Sequence, residues 1–409
     1  MDQHPADFDP FSPATIEDPY PFYRALRTHA PVYRPPGADW YYVSRHHDIQ
    51  TVSRDTETYS SNIVTLLMAR GTGELIEAPK LPFMPVDVLA IADPPNHGRH
   101  RKRATTGLGR AFPHELEPEL QGLADELIAA MLERGGGDWM QDFAFRVPIH
   151  VALRLLALDP AAQGKIKAWS DDAIDLLSGM TTRWGMARDM VAAWRLWRWC
   201  VRRFRAARAR PPAGLMGSLV EAVEAGSLSA TEAASIVLQI VIAGSDSSAS
   251  LMGSAVRLLA EAPDLQAQLR AEPSLIPAFI EETIRLEAPF QGHFRQTTRA
   301  CELAGVPLEP GTRLFLSWAS GNRDERQFEA AEQIDLARKQ PRSHLSFGHG
   351  IHLCIGAALG RLEARVALTS LLAQTKSIVS LDPAPRHRPS IFVRTLERLP
   401  LRLEPRERG

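Results

Sequence analysis

From His97 to about Ala300 the sequence carries a helical period almost without interruption. Turn signals break it only at Gly135-Gly136-Gly137, Asp159-Pro160, Pro211-Pro212, Gly226 and Ala262-Pro263. Helices that extensive must bury their apolar faces on one another, which predicts a mainly α fold with small β-sheets at its margins. The β-rich parts are expected at 30–60, around Trp40-Tyr41-Tyr42-Val43; at 300–320, where Pro307 and Pro310-Gly311 mark turns; and at 380–405, around Ile391-Phe392-Val393 and Leu401-Arg402-Leu403. Short helices are expected over Pro21–Thr28 and Arg45–Arg54, and a last one over 357–373. Residues 61–95, with Gly71, Gly73, Pro79, Pro82 and Pro85, read as a long loop of functional use. No repeat or low-complexity linker divides the chain, so 1–409 is expected to be a single domain.

Composition narrows the function. With 44% apolar and 23% charged residues over 409 positions the chain can bury a sizeable core and is not disordered. A net charge of -1 supplies no overall basic field for nucleic acid. Cys200, Cys301 and Cys354 are odd in number and far apart, which fits neither a disulfide framework nor a CxxC zinc site and points to a reducing compartment. The start Met1-Asp2-Gln3-His4-Pro5 has no basic segment or apolar core of a leader, and the longest apolar run, around Ile236 to Ala243, falls short of a bilayer span. A cytoplasmic protein is expected.

One loop carries the chemistry. Phe347-Gly348-His349-Gly350-Ile351-His352-Leu353-Cys354-Ile355-Gly356 sets a single cysteine in a glycine-rich turn just ahead of a helix. Exposed backbone N–H groups and the positive helix start both stabilise a thiolate there, and the glycines let a flat ligand approach the backbone. A lone cysteine at a helix start is more often structural. Yet Phe, two Gly and Cys at these spacings would arise by chance in roughly one such chain in two thousand.

Phe347-x-x-Gly350-x-x-x-Cys354-x-Gly356 resembles the haem-thiolate signature of the cytochrome P450 family, in its soluble bacterial, actinobacterial type. The resemblance runs along nearly the whole chain, including Asp18-Pro19-Tyr20-Pro21, Ala30-Pro31-Val32 and Asn322-Arg323-Asp324. It implies a triangular helical prism around haem b (iron protoporphyrin IX), with Cys354 as axial iron ligand. Glu282-Thr283-Ile284-Arg285, the only E-x-x-R in the chain, resembles the K-helix pair, and Arg338 would be its third partner in a buried structural network. His97 and Arg101, one helical turn apart, with Arg295 and His352 match the positions that bind the haem propionates. Phe347, Gly350 and Gly356 would shape the cofactor loop.

Ala243-Gly244-Ser245-Asp246-Ser247-Ser248 resembles the family's distal-helix motif. Gly244 would leave room for dioxygen, while Asp246 and the Ser247 hydroxyl would relay protons. Without that role, serines competing for helix carbonyls would merely kink the helix. Ser247 departs from the usual Thr: it keeps the hydroxyl and loses the methyl that restricts χ1. The implied activity is insertion of one atom of O₂ into a hydrophobic small organic substrate, with electrons from a separate ferredoxin and its reductase. The alternative is a haem-thiolate ligand-binding or sensing protein without turnover.

Pocket candidates carried over from the family are Leu66, Leu67 and Leu89; Leu176, Leu177 and Met180; Ile240 and Ala243; Phe290, Gln291 and His293; and Ile391 and Phe392. Arg99, Arg101, Lys102, Arg103 and Arg110 lie in an acid-free stretch that would offer a basic docking patch on the proximal face to an acidic ferredoxin. Between Trp184 and Arg210 the tryptophans are expected to face the core and the arginines water, without membrane association.

Overall fold

The computed structural model describes residues 4–63, 65–67, 75–77, 87–109, 112–178 and 183–406. Six helices position the site: α1 (Asn96–Leu108), α2 (Gln163–Leu177), α3 (Arg183–Ala209), α4 (Ala230–Glu261), α5 (Ile276–Leu286) and α6 (Ala357–Gln374). α4 crosses the core. It starts at a capping box in which the Ser229 hydroxyl accepts from the Glu232 N–H at 3.1 Å and the Glu232 carboxylate accepts from the Ser229 N–H at 2.6 Å. Ile236, Val237, Val241, Met252 and Val256 are buried along it, and each such side chain contributes about 2 kcal/mol over leaving it in water. Among the described residues α4 is the one helix long and apolar enough to cross a membrane, and most of its apolar stretch is buried inside the protein.

The serines leave α4 unbroken. Ser245 and Ser247 donate to the carbonyls of Val241 and Ala243 at 2.6 and 2.7 Å, so their hydroxyls bond one turn back without ending the helix.

The main sheet has five strands: β1 (Val32–Tyr33), β2 (Trp40–Val43), β3 (Tyr59–Ser60), β4 (Gly292–Thr297) and β5 (Arg313–Ser317), in the order β1-β2-β5-β4-β3. β2 and β5 run parallel with Trp40 beside Arg313, whereas β4 is antiparallel to β5 and sets Arg295 beside Leu314. A second sheet joins Thr375–Ser380, Pro400–Pro405 and Gly136–Asp138.

Several boundaries differ from expectation. Helix ends at Leu286 and β4 already lies within the span expected to be helical, because Ala288-Pro289 stops the helix and the alternating Phe294 and Arg295 pair across the sheet. The triple glycine is not a plain break: Gly135 turns the chain into the edge strand Gly136–Asp138, and an added Cβ on Gly136 would collide with the Leu401 carbonyl. Ile391–Val393 forms only an isolated bridge from Val393 to Phe290. The expected loop over 61–95 contains a hairpin of Thr65–Leu67 with Leu75–Glu77, and its Gly71, Gly73, Pro79, Pro82 and Pro85 lie outside the described residues.

Candidate active site

The cysteine loop is held from both sides. The Cys354 N–H donates to the Phe347 carbonyl at 2.7 Å, and the Arg361 guanidinium lies 4.5 Å from the Phe347 ring centre. Gly350 has φ +70°, and a Cβ there would sit 2.5 Å from the Ser53 carbonyl oxygen, so only glycine lets the loop lie on helix His46–Arg54. Gly356 ends the loop at the start of α6, and its N–H faces the sulfur. Cys354 is exposed, yet burial among surrounding atoms pushes its thiol up, against the Gly356 N–H, Arg101 and Arg361. Accessible surface at a crowded depth means that the sulfur opens on an internal recess.

The four groups expected to bind one anionic ligand edge come together beside it. The His97 and His352 rings are 4.3 Å apart. His352 shares a hydrogen bond of 2.9 Å between Nε2 and the Ser61 hydroxyl, while its buried Nδ1 has no partner. Arg295 is buried on β4 and donates to its neighbour's carbonyl, Phe294 O, at 2.7 Å. Among the described residues Arg101 has no hydrogen bond or ion pair. Desolvation and then the positive neighbours Arg295 and His97 push His352 down to about 2; burial brings Arg295 down to about 10, with only Asp93 opposing. Two guanidiniums and two neutral imidazoles thus stand together with little negative charge among the described residues beside them. His97 and Arg101 also line an open surface hollow with Lys102, Gly350, Ile351 and Leu353, which Cys354, His352 and Arg295 do not reach.

On α4, Ala243 and Gly244 are exposed in the middle of a mostly buried helix, and a side chain on Gly244 would meet nothing within 4 Å. Asp246 next to them is 2% exposed, both carboxylate oxygens lack hydrogen bonds, and burial pushes it up to about 6 against the pull of Arg388. α4 meets α6 at Gly360, where a Cβ would lie 3.7 Å from Ser248 Oγ.

Glu282 and Arg285 on α5 are fully buried and joined by two bonds of 2.9 Å. Arg338 adds bonds of 2.8 and 3.1 Å to the same carboxylate, and the Asp335 N–H a third partner at 2.9 Å. Burial alone would raise the Glu282 carboxyl; the two guanidiniums hold it below its ordinary range. The network is complete in the way a buried charge cluster must be.

Some expectations change. Gln291 accepts from the Tyr23 hydroxyl at 3.5 Å and donates to the Ala288 carbonyl at 2.8 Å, Ile391 is buried, and the two line one small cavity with Tyr23 and Arg388. Phe392, partly buried, packs against the core 5.7 Å from Phe294 and 5.6 Å from Phe315. Burial and Arg295 bring His293 down to about 4. Leu89 and Ile240 are partly buried against the main core. Leu66 and Leu67 lie in the hairpin and Leu176 and Leu177 on α2, with side chains outside the description; Met180 and Arg110 lie outside the described residues. Arg99 does not join an outward patch: it pairs with Glu232 at 2.8 Å and donates to Ser227 O at 2.9 Å. Lys102 remains exposed and Arg103 half-buried. Two partners were not foreseen. Arg388 approaches Asp246 from far along the chain, and Asp93 accepts from the Ser61 N–H at 2.8 Å and from the Ser60 hydroxyl, fixing the serine that holds His352. Asp93 had a usable signal in its place just before α1; Arg388 had none.

A thiol at a helix start, guanidinium and imidazole donors beside it and an open stretch of α4 are the arrangement that a haem-thiolate site requires. The comparisons agree. A family profile described as Cytochrome P450 matches residues 207–382. Cytochrome P450 144 of Mycobacterium tuberculosis is 36% identical over 96% of this chain and 91% of its own length. The vitamin D(3) 25-hydroxylase of Pseudonocardia autotrophica is 31% identical over 97% of both chains. Among solved structures, cytochrome P450 CREJ in complex with (4-ethylphenyl) dihydrogen phosphate superposes with a TM-score of 0.91 at 26% identity, covering 98% of this chain and 100% of that one. The chain belongs to the cytochrome P450 family. It is a haem-dependent monooxygenase, an oxidoreductase whose family binds haem b through a cysteine thiolate. The unpaired His352 Nδ1, the free Arg101 and the anion-poor Arg295 fit that group's two propionates.

Proposed function

We propose that this protein inserts one atom of O₂ into a C–H bond of a hydrophobic small organic molecule, using electrons from a separate ferredoxin and its reductase, and that residues 1–409 work as one domain. The observation that carries the site assignment is the meeting of the Arg101 and Arg295 guanidiniums with the neutral His97 and His352 rings, with no near carboxylate but Asp93 among the described residues, next to a cysteine that keeps accessible surface.

In this assignment Cys354 would hold the haem iron and must be a thiolate to serve. The Gly356 N–H, Arg101 and Arg361 favour that charge against desolvation, and an iron would complete the compensation. Phe347 and Gly350 fix the loop, and His97, Arg101, Arg295 and His352 hold the propionates by charge-assisted bonds. Bound haem supplies dioxygen binding and O–O cleavage. Gly244 leaves the space beside α4 clear. Asp246, pushed up to about 6, exchanges a proton near neutral pH, and the Ser247 hydroxyl lies on the next residue to pass it on. Ala243 and Gly244 present a small, apolar wall to substrate. Exposed Lys102, with Arg103 on the same helix, supports docking of an acidic ferredoxin along α1.

Reconstitution with a bacterial ferredoxin, its reductase and NAD(P)H tests this function. Hydrophobic ligands would first be screened by their shift of the haem absorption band. The expected result is substrate-dependent reductant use matched by an oxygenated product. Uncoupled reductant use with every ligand that shifts the band would reject it.

A further inference from the structure

α3 has two unlike faces. Ala192, Leu196, Trp197, Cys200 and Phe204 are buried on one side and anchor the helix to the core. On the other, at about 100° per residue, Trp184, Val191, Arg195, Arg198 and Arg202 fall within about 40° of one line along the helix. All five are exposed, Trp184 by 88% and Val191 by 48%. Trp194, exposed by 37%, flanks this line, and exposed Arg205 extends it. The expectation that the tryptophans of this helix would face inward therefore holds for Trp197 and Trp199 and fails for Trp184 and Trp194.

The charge is as one-sided as the exposure. α3 carries eight arginines and a single acidic residue, Asp189, which pairs with Arg188 at 2.9 Å. Among the described residues Arg195, Arg198, Arg202 and Arg205 make no hydrogen bond or ion pair; Arg198 lies 4.6 Å over the Trp194 ring. On a protein of net charge -1 this is a segregated cationic face.

A face that only met water would not need two outward tryptophans. A protein interface gathers its aromatics at the centre and leaves charge on the rim. Here the aromatics and Val191 stand toward one end and the guanidiniums run away from them in single file, over a helix of about 40 Å. Such a line matches a plane. Arginine forks pair with phosphate, and tryptophan settles at headgroup level with its ring in apolar contact.

We propose that this face of α3 docks the protein on an anionic lipid bilayer, with Trp184 and Trp194 at the headgroups and Arg195, Arg198, Arg202 and Arg205 on lipid phosphates. The inference does not depend on the proposed substrate or electron donor.

The purified holoenzyme is sedimented with vesicles of phosphatidylglycerol or of phosphatidylcholine. Binding to the first should be strong at low salt and fall as salt rises, with little binding to the second. Tryptophan emission should shift to the blue with phosphatidylglycerol, and Trp184→Ser should remove most of that shift. Each arginine neutralised should lower partitioning about fivefold. Arg195→Gln, Arg198→Gln and Arg202→Gln together should therefore lower it about a hundredfold, with the haem spectrum intact. If the triple variant loses haem, the single variants Arg198→Gln and Arg202→Gln carry the test, each at about fivefold. Parent-like binding by these variants, equal binding to both lipids, or no binding to phosphatidylglycerol at low salt would overturn the proposal. So would an acidic carrier protein that binds this face while the vesicles do not.

Discussion

Asp246 Oδ2 lies 3.9 Å from Arg388 Nη1, an ion-pair distance too long for a hydrogen bond. The guanidinium is shared with Asp171 at 3.3 Å, so Asp246 is a buried carboxylate with only part of one counter-charge. Its raised value of about 6 follows from burial first, with Asp171 and Asp175 adding to it and Arg388 and then Lys167 opposing. In the unfolded chain it would ionise near its ordinary value of about 3.9. Folding therefore costs nothing from Asp246 below pH 4, and an increasing amount as pH rises to about 6, after which the cost stays level. Asp246→Asn should leave stability unchanged at pH 4 and raise it by roughly 2–3 kcal/mol at pH 7.5. Product formation should fall much more than ligand affinity. Denaturant curves at the two pH values, with single-turnover rates, measure both; lower stability at pH 7.5 would contradict the assignment.

Ser247→Thr should keep the bond to the Ala243 carbonyl, since a threonine hydroxyl reaches the carbonyl one turn back in the same way. The added methyl fixes χ1. Coupling of NAD(P)H to product is expected to hold or improve, by the ratio of product formed to reductant consumed.

Cys354→His should abolish the red-shifted absorption band of the reduced carbon monoxide complex, because that band depends on thiolate ligation. The spectrum alone decides the point, and its survival would place the iron ligand elsewhere.

Glu282→Ala would leave Arg285 buried without its carboxylate partner. A loss of about 3–5 kcal/mol is expected on breaking such a network. Glu261→Ala, whose partner Arg257 has a second carboxylate in Glu287, should cost less than about 1 kcal/mol. Equal midpoints for the two variants in guanidinium chloride would mean that the network has no structural weight.

Lys102→Glu with Arg103→Glu should slow first-electron transfer from an acidic ferredoxin at low ionic strength and leave haem content unchanged. Arg99 is excluded from this test because Glu232 already holds it. Stopped-flow reduction rates equal to those of the parent at low salt would return these cations to simple solvation.

What the sequence made legible was whatever depends on local spacing. Cys354 in its glycine turn, His97 with Arg101 on one helix face, and Glu282 with Arg285 at one turn's separation all announce themselves within ten residues. The Arg338 partnership, 56 positions from Glu282, followed from family resemblance and has the bonding it implied. Contacts between distant segments without a motif stayed hidden. Arg388 reaches Asp246 across 142 positions (388 minus 246), and no pattern near either residue marks it. The bond of Gln291 to the Tyr23 hydroxyl was hidden for the complementary reason: an amide side chain beside a strand looks the same in sequence whatever partner it meets.

Glu232 ties two parts of the site together. Its carboxylate caps α4 and also holds Arg99 at 2.8 Å and His100 at 3.0 Å on α1, and these bonds keep it ionised down to about 2 against the cost of burial. α1 carries His97 and Arg101; α4 carries Gly244 and Asp246. At this end the two helices share one buried charge, so α1 cannot shift against the first turn of α4 without breaking bonds to the Glu232 carboxylate.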